Sequence, residues 1–207
     1  MPFLPLTLTL SPKGRGKITL NDTRGGPRGA KMKSAFTIFR VKVGWMGLVG
    51  NEKGVQRIFL PGLKKEELRQ SILSEFPKCH EGAALLGQAK KELTEYFSGR
   101  RVRFDFPLEL SGATPFQKKA YKIMGTIPFG EVRTYRWLAQ KIGNPKALRA
   151  VGGANAKNRW PLAIPCHRVV GSDGRLTGFS APGGLALKSS LLELEGIPVE
   201  KNRVRLL

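Results

Sequence analysis

Residues 164–171, IPCHRVVG, set a proline, a cysteine, a histidine and an arginine ahead of two valines and a glycine. The chain holds two cysteines and two histidines, and the remaining two stand together as Cys79-His80. Cys166 is therefore a core thiol, a metal ligand or a nucleophile. Zinc ligand pairs usually leave two to four residues between them so that both side chains converge. Immediate neighbours such as Cys79-His80 and Cys166-His167 seldom do, and no metal site is expected. Cys79-His80, beside Pro77 and Lys78, reads as part of a surface loop.

Free cysteine is among the most often buried residues, and Ile164, Val169 and Val170 suit a core strand. His167 and Arg168 do not, and both could lower the thiol pKa toward the reactive thiolate. Nucleophile is the favoured reading. In an extended strand, neighbours face opposite ways, so His167 takes a proton from Cys166 directly only if Pro165 turns the chain. Otherwise a water must bridge them, and a carboxylate must orient the imidazole. Glu195 is a candidate for that carboxylate, although the residues alone make it one exposed helical glutamate among several.

Upstream of this stretch, Thr114-Pro115 is a helix N-cap with proline at the first helical position, opening FQKKAYKIMGTI. TYRWLAQKIG, NPK and ALRAVGGANAKN then give two short helices about a tight turn, the outline of a helix-turn-helix. Downstream, GLALKSSLLELEG reads as a helix burying Leu187, Leu191 and Leu194, with Gly196 past its end. Toward the N-terminus, Phe36 to Leu60 has strand character: Val41 and Val43 alternate with Arg40 and Lys42, and NEKG makes a hairpin turn. Two helices follow, in KKEELRQSILSEF and GAALLGQAKKELTEYFSG, the second with Leu86, Ala89, Leu93 and Phe97 on one face and Gly99 as its stop. VRFDFPLEL is extended, and Pro107 marks a domain boundary.

The fold expected is α+β: a small N-terminal sheet-plus-helix domain over 32–108, then a mostly helical C-terminal domain over 109–207 with the helix-turn-helix. Residues 1–31, rich in Pro, Gly, Thr and Arg, lack helix or strand periodicity and are expected to be disordered. Met32 is a candidate natural start. Apolar residues precede the charges at the N-terminus, the reverse of a signal peptide. No run reaches the roughly 18 apolar residues of a membrane helix, and two cysteines make no disulfide framework. A cytoplasmic protein with no membrane association is expected. Lys plus Arg number 36 against 15 Asp plus Glu, a net charge of +21, which favours polyanions and above all nucleic acid. Six basic residues and one acidic fall in 1–31, leaving 30 against 14 in the rest, so the excess belongs to the folded part too.

PCHRVVG, preceded by RAVGGAN and followed by GRLTGFSAPGGLALKSSLLELEG, resembles the O6-alkylguanine-DNA alkyltransferases, or methylated-DNA–protein-cysteine methyltransferases. The specific resemblance covers roughly residues 111–200, while 32–108 is similar to the family's variable, ribonuclease H-like N-terminal domain only in outline. It implies direct-reversal repair. Cys166 would take an alkyl group from O6 of guanine in double-stranded DNA by in-line displacement, with O4 of thymine as a further candidate position. The thioether is not hydrolysed, so the protein works once, as a monomer, with no cofactor. His167 would act as the base through water, and Glu195 would hold His167.

The same resemblance implies that the damaged nucleotide is flipped out, at a cost of a few kcal/mol, with the helix-turn-helix in the minor groove. Ala150, Gly152, Gly153 and Ala154 would let the recognition helix approach the sugar edges; small residues also serve tight helix packing, the commoner reason for them. Arg149 corresponds by position to the finger that fills the gap left by the base, though unaided it reads as a phosphate contact. Tyr135 would help rotate the nucleotide and hydrogen-bond in the pocket, where its alternative is a core aromatic. Asn158 would be the hinge between recognition helix and active-site strand, and Ser180 would meet the O6 position. Phe179 stands where some members carry tyrosine. Loop 178–184, GFSAPGG, is longer than the Gly-Gly version of other members, which bears on pocket access.

Three rivals remain. A recognition protein of this family lacks the reactive cysteine, and Cys166 is present. A transcription regulator fits the helix-turn-helix and the charge but leaves PCHRVVG unexplained. A cysteine hydrolase using Cys166, His167 and Glu195 needs an oxyanion hole, and no such motif accompanies the thiol.

Overall fold

The computed structural model describes residues 33–206 and the short strand Leu20–Asn21. The expectations of disorder over 1–31 and of a start at Met32 lie outside the described residues, apart from that two-residue strand. In chain order the elements are β1 (Leu20–Asn21), β2 (Ala35–Val41), β3 (Gly44–Asn51), β4 (Gly54–Phe59), α1 (Lys65–Glu75), β5 (His80–Glu81), α2 (Gly87–Phe97) and β6 (Leu108–Glu109). There follow α3 (Pro115–Met124), β7 (Arg133–Thr134), α4 (Tyr135–Ile142), α5 (Leu148–Ala156), β8 (Val169–Val170) and α6 (Gly184–Leu194). The architecture is α+β, a sheet with two helices followed by a mostly helical part.

The first six strands form one sheet in the order β1-β6-β4-β3-β2-β5. Its middle, β2-β3-β4, is an antiparallel meander closed by two tight turns. At the second turn Asn51 Oδ1 accepts from the Lys53 backbone N–H at 2.8 Å. Gly54 follows at φ +135°, and a Cβ there would lie 2.5 Å from the Pro107 carbonyl, so only glycine fits. At the first turn the expected alternation fails. Val43 sits at the tip, 56% exposed, because the strand has already ended at Val41. VRFDFPLEL is extended as expected, but only Leu108 and Glu109 pair as a strand. Pro107 adjoins the sheet: its carbonyl accepts from Val55 N–H at 2.8 Å.

The period of two separates the faces of the meander. Phe36 and Val49 pair on one face and pack with Leu68 and Ile72 of α1. Phe39, Met46 and Leu48 face the other way, onto Leu86, Leu93 and Phe97 of the second helical segment. That second cluster continues into the helical part through Phe106, Leu108, Tyr121, Leu138, Val151, Trp160 and Ile164 to Cys166 and Leu191, a single core beneath both halves. Thr114 caps α3 as expected and also forms a capping box, Gln117 answering back to the Thr114 backbone.

The α6 helix departs from the expected face. Its buried residues are Lys188, Leu191 and Leu192, with Glu195 directly after, whereas Leu187 and Leu194 are only partly covered. The stripe is rotated by about one position because its two charged members have buried partners. No helix among the described residues is long and apolar enough to cross a membrane.

Candidate active site

Pro165, with ψ 67°, bends the chain into a single 3₁₀ turn, Cys166–Arg168. The backbone N–H of Cys166 donates to Ile164 O (2.8 Å) and that of Arg168 to Pro165 O (3.0 Å), and β8 resumes at Val169. The segment is therefore turned, and all three side chains are buried. Leu162, just upstream, is a buried non-glycine at φ +73°, in a bend closed by Ile164 N–H on Trp160 O at 2.8 Å. Asn158 stitches α5 to this bend: its Nδ2 donates to Ile164 O at 2.8 Å and its Oδ1 accepts from Trp160 N–H at 3.0 Å.

Glu195 is 4% exposed, against the sequence reading of an exposed glutamate. It gathers donors from three segments. Oε1 accepts from His167 Nε2 (2.8 Å), from Tyr96 Oη–H (2.7 Å) and from Arg168 Nη2 (2.9 Å). Oε2 accepts from Arg168 Nε (2.7 Å) and from Gly130 N–H (3.3 Å). Arg168 also donates Nη1 to Ile127 O at 2.7 Å, so it serves the carboxylate. Burial alone would raise the Glu195 carboxyl, but the hydrogen bonds from His167 and Arg168 and the Arg168 charge outweigh it and hold the group well below the carboxylate range.

Burial raises the Cys166 thiol above 9.0, against opposing help from the Asn158 amide, the Lys188 charge and the backbone N–H groups of the turn. The expectation that His167 and Arg168 lower it is overturned. His167 is pushed the other way: burial takes it below 6.5 despite Glu195. The resting pair is a neutral thiol and a neutral imidazole. His167 Nδ1 is buried with no protein hydrogen-bond partner among the described residues, so the ring has one nitrogen committed to Glu195 and one able to accept a proton.

Lys188, absent from the sequence reading of the site, is fully buried with its Nζ on two carbonyls, Val169 O (2.7 Å) and Thr177 O (3.0 Å). Burial pulls it down to about 8. Tyr96 was likewise missed. A tyrosine one residue before Phe97 on an apolar helix face needs a buried acceptor for its hydroxyl, and a lysine and a glutamate seven apart on a leucine-rich helix share a face. Those were the available signals.

The helix-turn-helix is α4 and α5. Thr134 Oγ1 accepts from Trp137 N–H at 3.1 Å to start α4, and Gly143 ends it at φ +84°. Beside it opens a cavity of about 680 Å³ lined by Tyr135, Arg149, Gly152, Asn155, Thr177, Phe179 and Ser180, among others. Tyr135 Oη accepts from Asn155 Nδ2 at 3.1 Å, and the Thr177 side chain also meets the phenol. Ser180 Oγ donates to Ala156 O at 2.9 Å. Phe179 and Ser180 also line a second cavity of about 190 Å³, which holds Asn158 and Cys166. These two residues thus divide the helix-side cavity from the thiol. Ala150 and Gly153 are exposed on α5 and do not line the cavity. A Cβ at Gly152 or Gly153 would meet nothing within 4 Å. Packing within the protein does not require these glycines.

Cys79 and His80 sit apart from this site: Cys79 packs against the α1-side cluster, and exposed His80 starts β5.

Two family models match the chain. Residues 36–110 match the ribonuclease-like domain of 6-O-methylguanine DNA methyltransferase, and 115–197 match its DNA-binding domain. A methylated-DNA–protein-cysteine methyltransferase from Methanosarcina barkeri is 42% identical over 161 residues, 77% of this chain and 96% of the relative. The constitutive enzyme of that name from Bacillus subtilis is 36% identical over 162 residues, 78% of this chain and 95% of the relative. Among solved structures, the O6-methylguanine methyltransferase of Mycobacterium tuberculosis superposes with a TM-score of 0.65 at 34% identity, covering 78% of this chain and 92% of the other. The same protein in complex with DNA gives the same values.

Proposed function

This chain belongs to the methylated-DNA–protein-cysteine methyltransferase family, and from that premise we propose which of its residues carry the reaction. It is a direct-reversal repair enzyme that binds double-stranded DNA and moves an alkyl group from O6 of guanine to one of its own cysteines, a single turnover per molecule. Cys166 is the acceptor, and the observation that carries this is its place in a buried turn beside the His167–Glu195 pair.

Although the segment is turned, His167 Nδ1 makes no hydrogen bond to the thiol, so in the reaction the Cys166 proton passes through a water to Nδ1, and the imidazolium that forms is stabilised by Glu195 Oε1. The sulfur attacks the alkyl carbon from the side opposite O6. The C–S bond forms as the C–O bond breaks, the C–O electron pair returns to the guanine, and the proton taken up by His167 passes back through solvent to the released base. Tyr135 Oη–H and the backbone N–H of Ser180, both at the helix-side cavity, suit the charge that develops on the base. The thiol rests protonated and buried, so the base and the Lys188 charge must act in the transition state. A thioether resists hydrolysis, so no second half-reaction follows.

Arg149, Ala150, Gly152 and Gly153 place the recognition helix on the DNA, and Asn158 fixes its distance from the thiol. Phe179 and Ser180 receive the flipped base, and the double-stranded substrate carries O6-alkylguanine. The reading includes action as a monomer. A reducing cytoplasm suits a nucleophile that must persist as a thiol, and both cysteines are free.

Peptide mass spectrometry after mixing with a duplex carrying one O6-methylguanine tests the assignment. One added methyl on the Cys166 peptide, saturating at one per molecule and absent from Cys166→Ala, is expected. Transfer to Cys79, or no transfer despite selective lesion binding, overturns it.

A further inference from the structure

We propose that Tyr96 is a positioning residue of the reaction, its phenol from α2 in the first half of the chain sharing Glu195 Oε1 with His167 and so tempering the carboxylate's pull on the imidazole. The inference deepens the reading of Cys166, His167 and Glu195 and rests on it.

The geometry is specific. Tyr96 and Glu195 are 99 residues apart, and their oxygens lie 2.7 Å apart in a buried contact, marginally closer than His167 Nε2 at 2.8 Å. Burial and the adjacent carboxylate keep the phenol protonated, so it can only donate. Its ring is wedged edge-on against Phe97 and Phe129 and tilted against Phe104, with centroids 5.3, 6.3 and 5.7 Å away. The hydroxyl therefore has a fixed address on Oε1.

A carboxylate oxygen that accepts three hydrogen bonds is a weaker base toward each donor than one that accepts two. The groups facing the relay are few. Glu195 meets His167, Arg168, Tyr96 and the Gly130 amide. His167 lies in the field of Glu195, Arg168 and Lys188. Arg168 and Arg101 also stack on Phe129, behind the Tyr96 ring. Of these, Tyr96 is the side-chain donor to Glu195 that stays uncharged throughout the reaction, so its hydroxyl can be deleted without changing the charge of the cluster. Deletion frees Oε1 for His167, raises the proton affinity of the ring and makes the imidazolium a poorer source of the returning proton.

The test is the Tyr96→Phe variant, which keeps the ring and its aromatic contacts. The chain has two histidines, so in a His80→Gln background a single imidazole titrates by NMR, with no DNA present. The His167 midpoint is expected to rise by about half a pH unit or more in Tyr96→Phe. The acid limb of the single-turnover methyl-transfer rate should move with it, with the affinity for lesion duplex unchanged. A midpoint and rate profile superimposable on the parent overturn the proposal. So does the same shift in Phe97→Leu, which loosens the packing behind Tyr96 without touching Glu195. If Tyr96→Phe is too unstable to titrate, Phe104→Leu adjusted to equal thermal stability serves as reference, and a rate loss no larger than its own overturns the proposal. Because the titration reads the relay without substrate, failure of the Cys166 assignment would appear separately, as absent methyl transfer in the parent.

Discussion

Trp160 donates its indole Nε1–H to the backbone oxygen of Val55 at 2.7 Å, tying the residue just past the recognition helix to a strand 105 positions earlier. Ile58 N–H on Arg159 O (2.8 Å) and the Arg159–Glu75 ion pair lie beside it. Trp160→Phe keeps most of the apolar contact and leaves the Val55 carbonyl without this donor. A loss of about 1–3 kcal/mol in denaturant unfolding is expected, with both halves still unfolding in one transition because they share a core. Two separated transitions in the parent protein would contradict that shared core.

Acid should destabilise the protein in two stages. The His167 ring titrates below its ordinary 6.5 in the native state because it is buried, so the unfolded chain binds the extra proton first. The stability this represents is complete above pH 6.5 and declines as pH falls beneath it. The Glu195 carboxyl is also depressed, so its contribution is complete above its ordinary 4.5 and is lost progressively as pH falls from there toward its much lower native value. Glu195→Gln should lose about 3 kcal/mol at pH 7, since Arg168 is left buried without its counter-charge, and should show a flatter dependence below pH 4.5. Urea titrations at several pH values measure both. An unchanged slope below pH 4.5 in the variant would refute the second stage.

Gly152→Val and Gly153→Val separate folding from DNA contact. A side chain at either site has open space around it, so thermal stability should change little beyond the helix preference of valine, a few tenths of a kcal/mol. Duplex affinity should fall at least tenfold if the helix lies against the groove floor. Fluorescence anisotropy with and without the lesion checks this, and unimpaired binding would remove both glycines from the interface.

Lys188→Met removes a positive charge that favours the thiolate and leaves the Val169 and Thr177 carbonyls without their donor. The single-turnover rate at neutral pH should drop at least tenfold, equivalent to about 1.4 kcal/mol of lost transition-state stabilisation, and should recover partly as rising pH ionises the thiol directly. A rate equal to the parent's would mean that the ammonium serves only the loop.

Methylation of Cys166 should lower stability. The residue is 4% exposed, and an added methyl overpacks a close-packed turn, typically at a cost of about 1–3 kcal/mol. Thermal melts of protein before and after reaction with lesion duplex give the difference. An equal or higher melting temperature after transfer would show that the turn has room.

The meander, the two N-terminal helices, the helix-turn-helix and the cap at Thr114 were legible in the sequence because period and turn chemistry are local. Val43 was misread because alternation carries through a turn as readily as along a strand. The α6 face was misread for a deeper reason: Glu195 was read as exposed and Lys188 was passed over, and their partners, the His167 and Arg168 side chains and the Val169 carbonyl, are distant in sequence. Nor could spacing show that the phenol of Tyr96 reaches Glu195. The family resemblance supplied Glu195 its role toward His167, and the three segments converging on its carboxylate needed the fold.

The wall made by Phe179 and Ser180 between the helix-side cavity and the Cys166 cavity has a consequence for the protein's working life. A molecule that acts once has no reserve, and every stray oxidation or alkylation of its sulfur removes one dose of repair. Small electrophiles and peroxides attack exposed thiolates fastest, and this sulfur is neither exposed nor ionised at rest. The arrangement that makes the nucleophile slow in isolation also lets it wait intact until a damaged base is delivered to it.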